Sequence, residues 1–310
     1  MKTLDVVGIG ISTVDIIVRL TQLPTWESPS IFDDIIIDGG GPTGTAICTV
    51  SKLGASAGFI GTAGNDWFSE YKLESFQTHG VDISHVKRRK FDENQIVIVN
   101  VDKRSGERIF NRSREFYFNQ LHIHEMNKDY ISQAKYLLID GYHYEASIEA
   151  AKWMHQMGNK VIFDGAATKK AHLDNRQLQL VSSSDYLICG SGYVEALTGH
   201  SEFKIAGRAA LDYGPEVVVI TVGENGSYLF SKNDSFHTPA FEVSFIDTTG
   251  AGDAFHGAFA YGLLQEWELR KICKFSSAVS AIECMTLGGR KGLPTIHQVK
   301  YFLDNHGIHL

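Results

Sequence analysis

The stretch Asp247-Thr248-Thr249-Gly250-Ala251-Gly252-Asp253 is followed by the small-residue run AFHGAFAYGLL, residues 254–264. This run predicts a helix that begins at about Asp253, and the two glycines before it let the backbone approach a ligand closely. The first N–H groups of a helix have no partner inside it, and the positive end of the helix dipole lies behind them. The sequence therefore predicts an anion site at the start of this helix.

The residue at the start of the predicted helix, Asp253, is itself a carboxylate. As a plain N-cap it would only close the helix, and a structural turn remains one interpretation of the motif. A capping aspartate does not need Gly-x-Gly before it, however. Backbone donors beside a base suit the transfer of a phosphoryl group to a hydroxyl, because the donors hold the transferring charge while the carboxylate takes the proton.

A second glycine cluster, GGGPTGTA at residues 39–46, precedes the first long predicted helix. It is not a Walker loop, because Thr45-Ala46 stands where Lys-Ser/Thr should follow Gly44. A flexible turn would explain the cluster alone. Asp15, a few residues after the first predicted strand, adds a carboxylate of the kind that binds sugar hydroxyls when it lies at a strand end facing the ligand crevice of a parallel sheet.

Short apolar runs alternate with stretches of helical spacing along most of the chain. The runs predict strands buried on both faces, and the stretches predict helices that end at Gly54 and Gly158. The predicted strands are 4–11, 136–139, 161–163, 186–189 and 217–222, and the clearest predicted helices are 46–53 and 146–157. The fold class that follows is α/β, a doubly wound, mostly parallel sheet with helices on both faces.

Two regions, near residues 12–38 and 94–112, break this alternation. Residues 95–101 and 107–110 flank DKRSG and predict a hairpin, and residues 31–38 form another strand-like run without a following helix. They could pair as a small sheet outside the main layer, a lid that excludes water from a reactive centre. They could also be edge strands of the main sheet. No linker or repeat divides the chain, so we expect a single domain over residues 1–310.

Composition excludes several classes of protein. The 310 residues are 43% hydrophobic and 21% charged, an ordinary globular composition, and the net charge is −7. An acidic balance argues against nucleic acid as a partner, and no stretch reaches the roughly 18 apolar residues of a membrane helix. The four cysteines form no CxxC pair. We therefore expect a cytoplasmic protein with neither membrane anchor nor disulfide framework.

The motifs together resemble those of a known family, the ribokinase-like (PfkB) carbohydrate kinases. The matching elements are DTTGAGD, the glycine cluster at 39–54, the GER turn at 106–108 and TVGENG at 221–226. The resemblance extends from end to end and implies a ribokinase-like sheet with a small β lid. It also implies transfer of the γ-phosphate of ATP to a primary hydroxyl of a small sugar or sugar acid, with Mg²⁺ bridging the phosphates.

The resemblance implies a role for each matching residue. Asp253 would be the base, and the amides of Gly250, Ala251 and Gly252 would form the anion hole. Sugar binding is implied for Asp15, Gly39 and Gly40, and nucleotide binding for Thr221, Gly223, Gly226 and Gly288 with its neighbours. Asp247 and the carbonyl of Thr249 match the place where many members bind a monovalent cation such as K⁺.

The chain departs from the family pattern at two places. Gly44 stands where the family usually has an asparagine that reaches the sugar, and Gly190 and Tyr193 replace the ends of the usual NxxE motif, which organises metal-bound water. Glu195 lies two positions late for that role and is a weak candidate to be linked to Mg²⁺. Specificity is expected to depend on lid and pocket side chains such as Asn94 and Arg108.

Three functions therefore remain open. An ATP-dependent sugar kinase leads, and a nucleoside kinase would need an aromatic platform such as Tyr142 or Tyr144 could supply. A sugar-binding regulatory relative without catalysis would fit the losses at Gly44 and Gly190, although the complete GAGD sequence argues against it. A homodimer that pairs through the lid is also expected, because an exposed edge strand invites such pairing.

Overall fold

The computed structural model describes residues 4–166, 168 and 170–309. These residues form fourteen strands, and eight of them make one large sheet in the order β14-β13-β12-β11-β10-β9-β1-β4. In chain order the strands are β1 Val6–Ile9, β2 Thr13–Leu20, β3 Phe32–Gly40, β4 Ala57–Ile60, β5 Thr62–Ala63, β6 Lys87–Arg88, β7 Ile96–Asp102, β8 Arg108–Arg112, β9 Tyr136–Ile139, β10 Lys160–Gly165, β11 Tyr186–Gly190, β12 Val217–Thr221, β13 Ser227–Ser231 and β14 Ser235–Thr238.

Ten α-helices accompany the strands in the described residues. They are α1 Pro42–Lys52, α2 Trp67–Thr78, α3 Lys128–Ser132, α4 Tyr144–Gln156, α5 Asn175–Ser182, α6 Ser191–Thr198, α7 Phe203–Leu211, α8 Ala251–Leu264, α9 Leu269–Glu283 and α10 Ile296–Asn305. One core cluster joins the sheet to α1, α8, α9 and α10, and a second joins it to α4, α5, α6 and α7. Helices therefore cover both faces, as continuous apolar strands require.

The predicted α/β class is confirmed. From β4 through β12 the neighbouring strands of the large sheet are parallel, and only β13 and β14 run antiparallel to their neighbours. The predicted strand at 4–11 is shorter, Val6–Ile9, because the chain turns away where Gly10 faces the carboxylate of Asp140. The helix predicted from about Asp253 begins two residues earlier, at Ala251.

The lid segments form a separate four-stranded sheet in the order β3-β2-β7-β8. The predicted hairpin is its β7–β8 pair, and the alternative of edge strands on the main sheet is wrong. Between the lid and the main body lies a third, smaller apolar cluster that includes Ile17, Val97 and Val99. The lid is therefore packed onto the body along its inner face.

One placement differs from the sequence analysis. Asp15 was expected at a strand end of the parallel sheet, but it lies in β2 of the lid, directly opposite Asp38 of β3. The chain leaves the large sheet at Gly10, directly after β1. The polar residues that follow therefore belong to the lid. The carboxylate at the end of a main-sheet strand is instead Asp140, which follows β9.

Across the described residues, no helix is both long enough and apolar enough to cross a membrane.

Candidate active site

The loop before α8 is held by the fully buried carboxylate of Asp247. One of its oxygens accepts hydrogen bonds from the amide and hydroxyl of Thr249, at 2.9 and 2.7 Å, and the other accepts from the amide of Gly288 at 3.1 Å. Gly250 follows in the left-handed region with φ 83°, and a Cβ there would lie 2.6 Å from the carbonyl oxygen of Gly289. Only glycine fits this position, and its backbone conformation sets the direction in which α8 begins.

The N-terminus of α8 is open. The amide of Ala251 makes only a long bond of 3.4 Å to Thr248, and the amides of Gly252 and Asp253 have no acceptor in the described part of the chain. A Cβ on Gly252 would meet no atom within 4 Å, so this residue faces free space. These amides are donors without a partner at the positive end of a fourteen-residue helix, which is the arrangement that binds an anion.

Asp253 lies in the first turn of α8 and is partly open to solvent. Removal from bulk water raises the pKa of its carboxyl to about 7, and the charge of Asp164 adds to this, while the charges of His256 and Arg108 oppose it. A carboxylate with a pKa near neutrality is suited to accept a proton in a reaction at physiological pH.

A buried pair, His256 and Asp164, supports this turn of the helix from behind. The His256 ring lies with Nδ1 2.6 Å from the Gly252 carbonyl oxygen and Nε2 3.1 Å from that of Ile188. Carbonyl oxygens only accept, so this geometry suits a ring that carries hydrogen on both nitrogens, the imidazolium. Burial alone would lower the pKa of His256, but the carboxylate of Asp164, 3.4 Å from Nε2, holds it above its ordinary value.

The candidate acceptor site lies at the end of the lid sheet where Gly39 and Gly40 of β3 pair with the start of β2. Asp15 accepts a hydrogen bond of 2.6 Å from the Thr13 hydroxyl on one oxygen, and its other oxygen lies against Gly40, where a Cβ would come within 2.1 Å. Burial raises the pKa of Asp15 to about 6, although the Thr13 bond and the charge of Arg290 oppose this. The second oxygen of Asp15 has no donor in the described residues and remains able to accept from a ligand.

Two further carboxylates hold the surrounding backbone. Asp38 accepts from the amides of Gly39, Arg290 and Lys291 at 2.7, 2.9 and 3.0 Å, so it clasps β3 to the loop that follows α9. Asp140 accepts from the amide of Ile11 and the hydroxyl of Thr43, and so fixes the first turn of α1. The hydrogen bonds of Asp38 and Asp140 thus hold the fold together, whereas Asp15 has an oxygen that can still accept a hydrogen bond from a ligand.

The lid reaches over the anion-hole loop. Arg108 of β8 donates to the Thr248 hydroxyl at 2.6 Å, and that hydroxyl donates to the carbonyl of Gly106 at 3.1 Å. Asn94 donates to the carbonyl of Glu115, and its own side-chain oxygen is shielded from solvent without a partner in the described residues. Arg108 thus contacts the catalytic loop, whereas Asn94 mainly holds a lid loop.

A cavity of about 670 Å³ opens at the carboxyl ends of β11 and β12. Thr221, Gly223 and Gly190 line it, and a side chain at Gly190 would meet no atom within 4 Å. Gly226 does not line the cavity. Its φ is 84° and a Cβ would lie 2.0 Å from the Thr238 carbonyl, so the β12–β13 turn alone explains this glycine.

Other predicted residues lie elsewhere. Gly288 is packed between Asp247 and Asp38 and does not line the nucleotide cavity. Glu195 is exposed on α6, and the Tyr193 side chain points into the core and donates to Gln177. Neither side chain lines that cavity.

Sequence reasoning missed Arg290, Asp38, Asp164 and His256. Three of the four had a visible signal: Asp38 directly precedes the glycine cluster, Asp164 directly follows a predicted strand, and His256 interrupts a run of small apolar residues. A buried polar residue in such a run needs partners, and this alone could have drawn attention to it. Arg290 carried no comparable signal, because GGRKG reads as an ordinary solvated loop.

The site thus combines unpartnered amides at the start of α8, the Asp253 carboxyl with a pKa of about 7, and the open oxygen of Asp15, a set of groups that suits phosphoryl transfer. Residues 3–296 match the model of the pfkB family of carbohydrate kinases, and the chain belongs to this family. A 5-dehydro-2-deoxygluconokinase of Clostridium perfringens is 26% identical over 97% of this chain and 93% of its own. An aminoimidazole riboside kinase of Salmonella typhimurium is 28% identical over 87% of this chain and 89% of its own.

The fold is also similar to that of solved kinase structures. The crystal structure of a putative ribokinase II from E. coli in complex with ATP and Mg²⁺ superposes with a TM-score of 0.84. It covers 97% of this chain and 99% of that one at 22% identity. The architecture is therefore ribokinase-like, and the lid sheet is part of it.

Proposed function

We propose that this kinase transfers the γ-phosphate of ATP to a primary hydroxyl of a small sugar or sugar acid, with Asp253 as the base. The observation that carries the proposal is the first turn of α8, where the unpartnered amides of Gly252 and Asp253 lie beside a carboxylate whose pKa is about 7. Asp253 takes the hydroxyl proton of the acceptor. The amides of Gly250, Ala251 and Gly252 stabilise the negative charge of the transferring group.

The acceptor is held by Asp15 and by the backbone of Gly39 and Gly40. An ionised Asp15 accepts hydrogen bonds from sugar hydroxyls through its open oxygen, and Thr13 fixes the orientation of the carboxylate. Arg108 closes the site from the lid side. Positioning of the hydroxyl against Asp253, rather than affinity alone, is what this arrangement provides.

The nucleotide site of this proposal is the cavity lined by Thr221 and Gly223. The amide donors suit the phosphates of ATP, which supplies the phosphoryl group when bound. Mg²⁺ ordinarily keeps several waters and binds phosphate oxygens, so it needs few ligands from the protein. In the described residues no three His, Cys, Asp or Glu side chains form a group suited to a metal ion.

A monovalent cation fits beside Asp247. Glu283 at the end of α9 is fully buried, both of its oxygens lack a partner in the described residues, and burial together with the Asp247 charge raises its pKa. A cation such as K⁺ would neutralise these acids. Replacing K⁺ by tetramethylammonium at constant ionic strength should lower the rate several-fold, and Glu283→Gln should weaken this response. An unchanged rate would remove the cation from the account.

We further propose that two copies pair through the outer face of the lid and that the protein acts in the cytoplasm. Ile35, Ile37 and Ile98 are 49%, 38% and 45% exposed on this face, an apolar surface that a second copy would cover. All four cysteines are free thiols, which suits a reducing compartment.

The test is ADP release from ATP with panels of sugars, sugar acids and nucleosides, measured beside plain binding of each compound. The proposal predicts acceptor-dependent ADP release with at least one sugar or sugar acid. Release with nucleosides alone would make the chain a nucleoside kinase. Binding of sugars without ADP release would make it a regulatory relative, and either result would contradict the proposal.

A further inference from the structure

Arg290 occupies the space that a side chain at Gly44 would fill. A Cβ on Gly44, in the first turns of α1, would lie 2.3 Å from Nη2 of Arg290. A guanidinium from the loop after α9 therefore fills the space beside α1 where Gly44 has no side chain.

The guanidinium is buried among neutral oxygens. Arg290 is 1% exposed, and its Nη2 donates to the Ser12 hydroxyl at 2.9 Å and to the Gly40 carbonyl at 2.6 Å. Nη1 donates to the Ser75 hydroxyl at 3.2 Å, and the Phe76 ring centroid lies 4.5 Å away. Within the described residues no carboxylate oxygen approaches the guanidinium nitrogens within the 4.0 Å of an ion pair.

A buried charge is expensive unless a counter-charge lies close to it. Asp38 binds only the main chain of Arg290, and Asp15 lies on the Gly40 Cα while the guanidinium holds the Gly40 carbonyl. The wall of the acceptor site thus contains an open carboxylate on one side of Gly40 and a cation without a contacting counter-ion on the other. A ligand that contacts Gly39 and Gly40 at the end of β3 lies one peptide unit from that cation.

We propose that Arg290 makes the acceptor site selective for a sugar that carries an anionic group. This selectivity rests on the proposed function, because the proposed function places the acceptor against Gly39 and Gly40. Hydroxyls of the acceptor bind Asp15, and its anionic group lies on the Gly40 side, where the positive charge acts at short range in a dry environment. A neutral sugar adds no negative charge beside the guanidinium.

A structural role alone predicts something different. If Arg290 only tied Ser12, Gly40 and Ser75 together, its loss would lower stability and weaken all acceptors equally. Selectivity between anionic and neutral acceptors separates the two roles, because only the charge distinguishes those ligands.

The first experiment uses the unaltered protein with a non-hydrolysable ATP analogue. Calorimetry would measure binding of four- to six-carbon aldonates, the alditols of the same length and configuration, and the corresponding sugar phosphates. We expect at least one anionic compound to bind tenfold or more tightly than its neutral counterpart. Comparing the affinities of the aldonates and the sugar phosphates shows which anionic group the site recognises. Equal binding of the neutral compounds, or no binding of any anion, would overturn the proposal.

The second experiment restores the family arrangement with the double variant Gly44→Asn, Arg290→Gln. We expect the preference for the anion to fall at least tenfold while the neutral counterpart binds as well as before. Arg270→Gln, which removes an exposed arginine paired with Asp234, is the matched control and should change nothing. Melting temperatures establish that each variant folds. Should the double variant not fold, Arg290→Lys, which keeps the charge, must retain the preference.

A folded double variant with an undiminished preference would overturn the proposal. These binding measurements do not need turnover. If the anions bind selectively but no acceptor gives ADP release, the proposed function fails and the role of Arg290 stands. If ADP release occurs equally with neutral and anionic sugars, the reverse is true.

Discussion

His256 lies three residues along α8 from Asp253, and its imidazolium is one of the charges that keep the Asp253 carboxyl ionisable. Because the base works only when ionised, kcat/KM should fall as the pH drops below about 7 and level off above it. His256→Gln removes a positive charge and should move this acid limb to higher pH. His155→Gln, which removes an exposed histidine paired with Asp185, is the control. A limb that stays in place would show that His256 does not act on the base.

The role proposed for Asp15 is to place the acceptor. Asp15→Ala should lower kcat/KM for the acceptor by on the order of 10²-fold, since charge-assisted hydrogen bonds are worth about 1.5–3 kcal/mol each, while the KM for ATP stays nearly unchanged. If Asp15 served only to hold the start of β2 in place, its loss would lower the melting temperature without affecting the acceptor in particular. Normal acceptor kinetics in a folded variant would contradict the assignment.

At the scale of single residues, the motif predicted Asp253 and Asp15 because their roles follow from neighbours in the sequence. Arg290 and Gly44 could not be connected in this way. Their contact depends on how the loop after α9 packs behind β3, which only the tertiary structure fixes. The same holds for Asp164 and His256, which come from β10 and α8 and meet beneath the anion hole.

At the scale of elements, the lid sheet has two faces with different tasks. Its inner face packs on the body, and its outer face exposes a row in which Ile16 of β2 pairs with Ile37 and Ile98. Such a row favours association with a second copy. Ile98→Asp should therefore convert a dimer into a monomer in sedimentation experiments, whereas Ile205→Asp, an equally exposed position on α7, should not. A wild-type monomer at micromolar concentration would contradict the pairing.

The hairpin and the strand at 31–38 were predictable because period, turn residues and the absence of following helices pointed to extended structure. That they form a separate sheet was not, because strand pairing is decided over long sequence separations. Asp15 was misplaced for the same reason: its position a few residues after the first strand does not say which sheet it joins.

At the scale of the whole molecule, the parallel order of β9 to β12 brings the ends of distant strands to one edge of the sheet. Four residues lie at these strand ends: Asp140, Asp164, Gly190 and Thr221. Helix α8 packs on one face of the sheet, with its N-terminus toward these ends. Ligand sites of open parallel sheets form at this edge. The class of fold and the position of its site were therefore predictable, whereas the side chains that tune it were not.

The central claim is that Asp253 accepts the proton of an acceptor hydroxyl during phosphoryl transfer. The most direct measurement compares acceptor-dependent ADP release by the wild type and by Asp253→Asn, together with nucleotide affinity. Asparagine keeps the size and hydrogen-bonding capacity of the side chain but is not a base, so turnover should fall roughly 10²–10⁴-fold with affinity little changed. Near-normal turnover in a folded variant would contradict the account and leave the start of α8 with a structural role only.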